Sequence, residues 1–258
     1  MNIYRAAFAA GFGRAVRQPG DLAVRAGFYL LLLLTFAALW NAATAAQGGD
    51  IEGYTFAALV WYVVAAEGAV NATKPRLIEE IGDAIGSGLI AVEMLRPVSV
   101  VGFRLAAETG EALARVLAVV VPGAVVVLLA EGPPPSSAGA LLAVPSLVLA
   151  FGCNLAGQHV FAASAFWVND AKATWFLYQK FVFLLGGMLL PLEFLPGGLE
   201  FWARTLPFWT MAYAPARLLS GRAEPMLLLG QVVWLVALVA AALAVFGAGE
   251  RRLQVAGG

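Results

Sequence analysis

The sequence predicts an all-α integral membrane fold built on six transmembrane helices, a single domain over residues 1–258. Three observations carry that reading. Hydrophobic residues make up 61% of the 258 positions and charged residues only 12%, about half the ~25% charge of a soluble domain. Apolar runs of near-bilayer length recur along the chain. Lysines and arginines concentrate in alternate connections between those runs.

The elements follow in chain order. Tyr4, Phe8 and Phe12 repeat at i, i+4, i+8, with Arg5 and Arg14 off that stripe. The spacing predicts an N-terminal amphipathic helix lying at the membrane interface. Spans are expected near 22–41, 54–72, 105–130, 139–167, 174–192 and 226–248. Each is about 19 residues or longer, enough at 1.5 Å per residue to cross ~30 Å of hydrocarbon. Ala43-Thr44-Ala45-Ala46 resembles a signal-peptidase site, but the apolar run before it exceeds a signal core, so the first span is expected to remain uncleaved. Pro122 and Pro145 interrupt two spans, which membrane helices tolerate when neighbours satisfy the freed carbonyls. Gly132 to Ser137 reads as a tight turn.

Residues 193–222 are neither a clean span nor a hydrophilic loop. Phe194, Phe201, Trp202, Phe208, Trp209 and Tyr213 stand among Pro196, Pro207 and Pro215. Aromatics at this density mark a membrane interface. The prolines predict one or two short helices, re-entering from the outer side before the last span. Glu193, Glu200 and Arg204 could line an exit there or simply anchor the segment at the interface.

Orientation follows from the cations. With the N-terminus inside, Arg5, Arg14, Arg17, Arg25, Lys74, Arg76, Arg96, Lys172, Arg251 and Arg252 are cytoplasmic, against Arg204, Arg217 and Arg222 outside. Both termini and the 74–97 segment are therefore expected in the cytoplasm.

Several function classes fall away. Net charge is zero, 16 basic against 16 acidic residues, so nothing points to nucleic acid. Cys153 is the only cysteine, which excludes an intrachain disulfide, and His159 is the only histidine, which excludes a multi-histidine metal site. No G-x-x-x-x-G-K-[ST] phosphate loop occurs, so the chain is not expected to hydrolyse ATP, and the absence of clustered His, Cys or paired Asp motifs weighs against an integral-membrane enzyme.

The segment 74–97 is a polar island between apolar runs. Leu77, Ile78, Ile81 and Ile85 form an apolar helical stripe, and Glu79, Glu80 and Asp83 an acidic face. Gly86-Ser87-Gly88 breaks the helix, and a second apolar piece ends at Arg96-Pro97. A helix this short needs a surface to pack on. That surface is either the rest of this chain or a cytoplasmic partner.

Some polar residues sit at membrane depth. Arg104, Glu108, Glu111 and Arg115 share a sector of about 60° on one helix face. Arg104–Glu108 and Glu111–Arg115 are each spaced to pair, with Arg115 snorkelling toward the cytoplasm. Glu67 and Asn71 share a face of the second span, and Asn154 and Gln158 one of the fourth. Such groups either hold helices together or line a pathway.

The run Ile81-Gly82-Asp83-Ala84-Ile85-Gly86-Ser87-Gly88, closed by Leu95-Arg96-Pro97-Val98, resembles the cytoplasmic loop of type-two ABC exporter permeases. Gly187-Met188-Leu189-Leu190-Pro191-Leu192-Glu193-Phe194-Leu195-Pro196, Leu206-Pro207-Phe208, Tyr213-Ala214-Pro215-Ala216 and Leu219-Ser220-Gly221 fit the same family. The nearest branch has about 260 residues and often pairs two paralogous permeases with one ATPase. Relatives often carry Arg-Xaa-Gly near the bend, where this chain has Gly82 and Asp83. The resemblance implies a transmembrane subunit of an exporter in a bacterial inner membrane. It makes 74–97 the coupling helix that inserts into an ATPase, with Leu77, Ile78, Glu79, Glu80, Ile81, Asp83, Ile85, Gly86, Gly88 and Arg96 as candidate contacts. It implies two copies of an ATP-binding subunit holding ATP and Mg, and a second permease, identical or paralogous. No cofactor is expected on this chain, and its other partner is membrane lipid. Glu67, Asn71, Asn154 and Gln158 become candidate pathway residues for a hydrophobic or amphiphilic substrate, and Glu193, Glu200 and Arg204 a candidate outer gate. The alternative is a secondary transporter driven by protons through Glu67 or the third-span charges.

Overall fold

A computed structural model of the chain describes residues 3–256, apart from 75, 96, 97 and 169. It is a helical bundle, with α1 (Ile3–Val16) and α2 (Pro19–Ala46) leading into a two-stranded hairpin, β1 (Asp50–Ile51) and β2 (Tyr54–Thr55). The chain returns through α3 (Phe56–Asn71) to two short helices, α4 (Leu77–Gly86) and α5 (Leu89–Met94). Next come α6 (Val100–Arg115), a π-helical turn (Val116–Val120), α7 (Val121–Glu131), α8 (Ser137–Ala162) and α9 (Ala171–Leu185). Short 3₁₀ turns flank α10 (Gly197–Thr205) ahead of α11 (Tyr213–Leu219), and α12 (Met226–Ala256) closes the chain.

Among the described residues, four helical stretches are long and apolar enough to cross a membrane: Pro19–Ala46, Val100–Glu131, Ser137–Phe166 and Met226–Arg252. Their outward faces carry large apolar side chains, including Phe28, Leu34, Leu129, Val148 and Val236. Contiguous exposed apolar surface of this kind suits hydrocarbon rather than water. The expected second and fifth spans form helices of only 16 and 15 residues, α3 and α9, roughly 24 Å and 22 Å long. In α3 every residue from Ala58 to Ala69 is buried, as befits a helix that is apolar all round and enclosed by its neighbours. The α9 helix stops because Gly186 and Gly187 turn the chain. Gly187 adopts φ 68°, and the Tyr62 hydroxyl donates to the carbonyls of Gly187 and Leu190.

The π turn precedes Pro122. A proline ring clashes with the carbonyl four residues back, and widening the helix by one residue relieves that clash without breaking the rod. Pro145 lies inside α8, which continues through it. The hairpin at 50–55 is a small departure from the all-α expectation. Glu52 and Gly53 both take positive φ, 50° and 76°, as a tight two-residue hairpin requires.

A helix does form at the N-terminus, but the stripe that packs is not Tyr4–Phe8–Phe12. Ala7, Gly11 and Ala15 are buried, seated on α6. A Cβ on Gly11 would lie 2.0 Å from the Ala107 carbonyl oxygen, and one on Gly110 would lie 2.0 Å from that of Phe8. Only glycines allow two helix backbones this close. The α1 helix is thus docked on protein through small residues, with its aromatics at the flanks.

Pairings define the two ends of the bundle. At one end lie α1, α4, α5, the start of α9 and the end of α12, where a Cβ on Gly249 would meet the Phe166 ring at 2.2 Å. At the other lie the hairpin, the 131–137 turn and residues 186–225, joined by Trp61 Nε1 to Gly132 O (3.2 Å) and Arg222 to Glu52 O (2.7 Å).

Candidate functional site

A cleft of about 330 Å³ opens between α2, α3, α8 and α9, in the half of the bundle nearer α4. Glu67 and Asn71 reach it from the last turns of α3, and Asn154 and Gln158 from α8. The structure therefore brings all four candidate pathway residues to one place. Phe28, Trp175, Tyr178 and Phe183 supply aromatic walls, and Arg25, Lys74, Gln179 and Lys180 add polar groups.

Asn154 is the hub of its polar floor. Its Nδ2 donates to Thr73 Oγ1 (3.3 Å), and its Oδ1 accepts from Gln158 Nε2 (3.2 Å) and the Tyr178 hydroxyl (2.7 Å). One buried side chain thus joins the end of α3, α8 and α9. Glu67 is almost fully buried; Asn71 Nδ2 donates to its backbone oxygen (2.9 Å) and to Oε2 (3.3 Å), while Oε1 has no partner among the described residues. A buried carboxyl oxygen without a donor is costly. Tyr178 and Lys180 escaped the sequence reading, and the signal was available: polar groups spaced through an apolar helix.

At the α4 end the sequence reading needs correction. Leu77, Ile78, Ile81 and Ile85 are buried in this chain's own core, against α8, α9 and residues 163–166. A Cβ on Gly82 would meet that of Ala171 at 2.3 Å. The apolar stripe is packed internally in this chain. Glu79 is buried as well and pairs with Arg76. Glu80, Asp83, Gly86, Ser87 and Gly88 remain exposed, as do Leu89 and Leu95 of the following piece. Ser87 caps α4 by donating from Oγ to Asp83 O (2.7 Å), and Gly88 turns the chain at φ 75°. Arg96 lies outside the described residues.

The polar stripe of α6 also pairs differently from expectation. Arg104 makes a two-pronged bond to Glu93 of α5, both contacts 2.9 Å, instead of pairing with Glu108. Glu111 does pair with Arg115 (2.6 Å), and it also accepts from Arg14 of α1 (2.9 Å). Arg115 does not snorkel. It is 5% exposed and reaches Ala72 O at 3.4 Å.

At the opposite end, Glu193 accepts from Tyr213 Oη (2.8 Å) and pairs with Arg217, with Arg204 at 3.6 Å. Arg204 pairs with Glu200 (2.8 Å) and lies over the Tyr213 ring. The three candidate gate residues thus meet in one network, which Arg217, Tyr213 and Tyr54 complete. Arg217 bonds Glu224 twice, at 2.6 and 3.2 Å, holding the Glu224 carboxyl below the ordinary carboxylate range. Sequence reading used Arg217 only for topology, because its partners lie on distant segments.

Gln231 was also missed. Fully buried in α12, it accepts from Ser146 Oγ (2.8 Å) and donates to the carbonyls of Ser146 (3.0 Å) and Thr210 (2.8 Å). Among the described residues no group of three or more His, Cys, Asp or Glu could hold a metal ion.

Long lipid-suited helices around a polar cleft define a multi-pass membrane protein. Residues 29–257 match the profile of the ABC-2 family transporter proteins. The chain belongs to that family. It is the membrane-embedded permease component of an ABC transporter, which works with an ATP-binding subunit. The matched region begins within α2, so α1 lies outside it. No curated protein matches the sequence.

Proposed function

We propose that this chain is the permease half of an ATP-driven exporter, and that the cleft at Glu67 is part of its route for hydrophobic or amphiphilic molecules. The observation that carries this reading is the meeting of Glu67, Asn71, Asn154 and Gln158 in one aromatic-walled cleft. Ligand sites combine mainly apolar walls with a few converging polar groups. In this reading α3 and α9 complete six crossings, their short length compensated by the protein around them. The end bearing α1 and α4 faces the cytoplasm, the outer network of Glu193, Glu200, Arg204 and Arg217 closes the exit, and the membrane is a bacterial inner membrane.

Two copies of a separate ATPase, holding ATP and Mg, press on the exposed turn between α4 and α5, beside a second permease, identical or paralogous. Because the apolar stripe of α4 is anchored in the bundle, a push on the Gly86–Gly88 turn moves α8 and α9 as well. Those helices carry half of the cleft.

Cys153 is buried, so a Cys153→Ala background frees the chain for single-site labelling. Gln179→Cys in that background, reacted with a bulky maleimide, is expected to block export while the complex still assembles. Full export by the labelled protein removes the cleft from the pathway. Co-purification of an ATPase, with export lost when its phosphate-loop lysine is changed, tests the energy source.

A further inference from the structure

The cleft's charges differ in whether the chain itself neutralises them. Arg25 is paired with Asp21 (2.7 Å) and Lys74 with Glu80. Two groups have no counter-ion among the described residues. Glu67 is buried with Oε1 lacking any partner. Lys180, at the middle of α9, has its ammonium 4.9 Å from the Phe176 ring centroid and 5.9 Å from that of Phe183, with no carboxylate in reach. Both line the same cleft, and no ion pair joins them.

A buried, unpaired carboxyl such as Glu67 is expensive to keep in an apolar helical bundle, and Lys180 beside it is exposed yet left without a counter-ion among the described residues. Had they served only to hold helices together, direct pairing would have removed most of that cost. Their separation leaves one acceptor site and one donor site facing a shared space, with Phe28, Trp175 and Phe183 between and around them. Aromatic faces suit both an alkyl chain and an ammonium. Resting on the reading of this cleft as the substrate route, we infer that it takes zwitterionic amphiphiles. The substrate's ammonium goes to Glu67 and Asn71, its anionic group to Lys180, and its apolar chain to the aromatic wall.

The test uses the purified chain in nanodiscs and three probes with alkyl chains matched to within one methylene: dodecylamine, dodecanoate and N-dodecyl-β-alanine. Satisfying two charged groups instead of one is expected to make the zwitterion bind about tenfold more tightly than either singly charged probe. Glu67→Gln should remove the zwitterion's advantage over dodecanoate and spare dodecanoate itself. Lys180→Met, at an exposed position that does not threaten folding, should remove its advantage over dodecylamine and spare dodecylamine. Equal affinity for the three probes, tightest binding of a singly charged one, or no binding of any overturns the inference. Its failure is distinguishable from failure of the pathway reading: if the maleimide on Gln179→Cys still blocks export, the cleft remains the route and only the headgroup assignment falls.

Discussion

The Tyr178 hydroxyl of α9 donates to Asn154 Oδ1 of α8 at 2.7 Å, and the same hydroxyl lies 3.0 Å from the Asn154 backbone oxygen. This contact closes the floor of the cleft. Tyr178→Phe keeps the ring, which packs edge-on against Phe161 and Phe208, and removes only the donor. Asn154 Oδ1 still accepts from Gln158, so the expected loss is one hydrogen bond, about 1 kcal/mol. Thermal unfolding in nanodiscs should show a small drop in midpoint. Asn154→Leu should cost more, because it removes the side-chain partner of Gln158 and one partner each of Thr73 and Tyr178 together. A Tyr178→Phe loss as large as that of Asn154→Leu would show that Asn154 is not the hub.

The seat of α1 on α6 gives a sharper test. Gly110→Ala places a Cβ 2.0 Å from the Phe8 carbonyl oxygen, with no flexible side chain to yield. Either α1 lifts or α6 shifts, at a cost of about 1–3 kcal/mol. Limited proteolysis should then cut α1 faster than in the unmodified protein. Gly13→Ala is the control: a Cβ there meets nothing within 4 Å, and alanine favours the helix. Equal cleavage of the two variants would contradict the packing described for this helix pair.

The ion-pair network around Arg217 makes stability depend on acid. Arg217 holds the Glu224 carboxyl below its ordinary range by donating two hydrogen bonds to it. A carboxylate with a depressed folded-state pKa contributes stability above its unfolded value, near 4.3, and loses that contribution as pH falls through the folded value. Glu224→Gln should therefore lower the unfolding midpoint at neutral pH, with the difference from the unmodified protein closing on acidification below about pH 4. The effect is small, since the side chain is half exposed. A difference that stays constant with pH would assign the loss to packing.

Much of this organisation was readable from composition and periodicity. Apolar length located the four long stretches, and Gly86-Ser87-Gly88 located the break after α4. Helix spacing put Glu67 with Asn71 on one face and Asn154 with Gln158 on another, and the structure adds that the two faces meet in one cleft. What could not be read was which face of each helix meets which neighbour. Tyr4, Phe8 and Phe12 formed the more conspicuous stripe, yet backbone approach at Gly11 and Gly110 decides how α1 docks, because small residues permit the closest contact. Arg104 pairs with Glu93 of α5 rather than Glu108 of its own helix, and spacing along one helix carries no information about a partner on another.

The same limit reshapes the expectation for α4. Glu79, Glu80 and Asp83 share an acidic face in sequence, but burial divides them. Glu79 is 6% exposed and paired with Arg76, whereas Glu80 and Asp83 face outward. Reversing the charge of Glu79 places a lysine in the core next to an arginine, at a cost of several kcal/mol, and should reduce folded yield. Reversing Glu80 and Asp83 together should leave the permease folded and inserted, while transport-linked ATP hydrolysis in the complex falls, because rim charges steer and orient an interface more than they hold it. Monodispersity of the purified permease reads the first effect, and hydrolysis coupled to export reads the second. Unchanged hydrolysis in the Glu80→Lys, Asp83→Lys variant would move the coupling contact off the exposed face of α4, leaving the apolar side chains of Leu89 and Leu95 beyond the glycine turn as the surface on which an ATPase pushes.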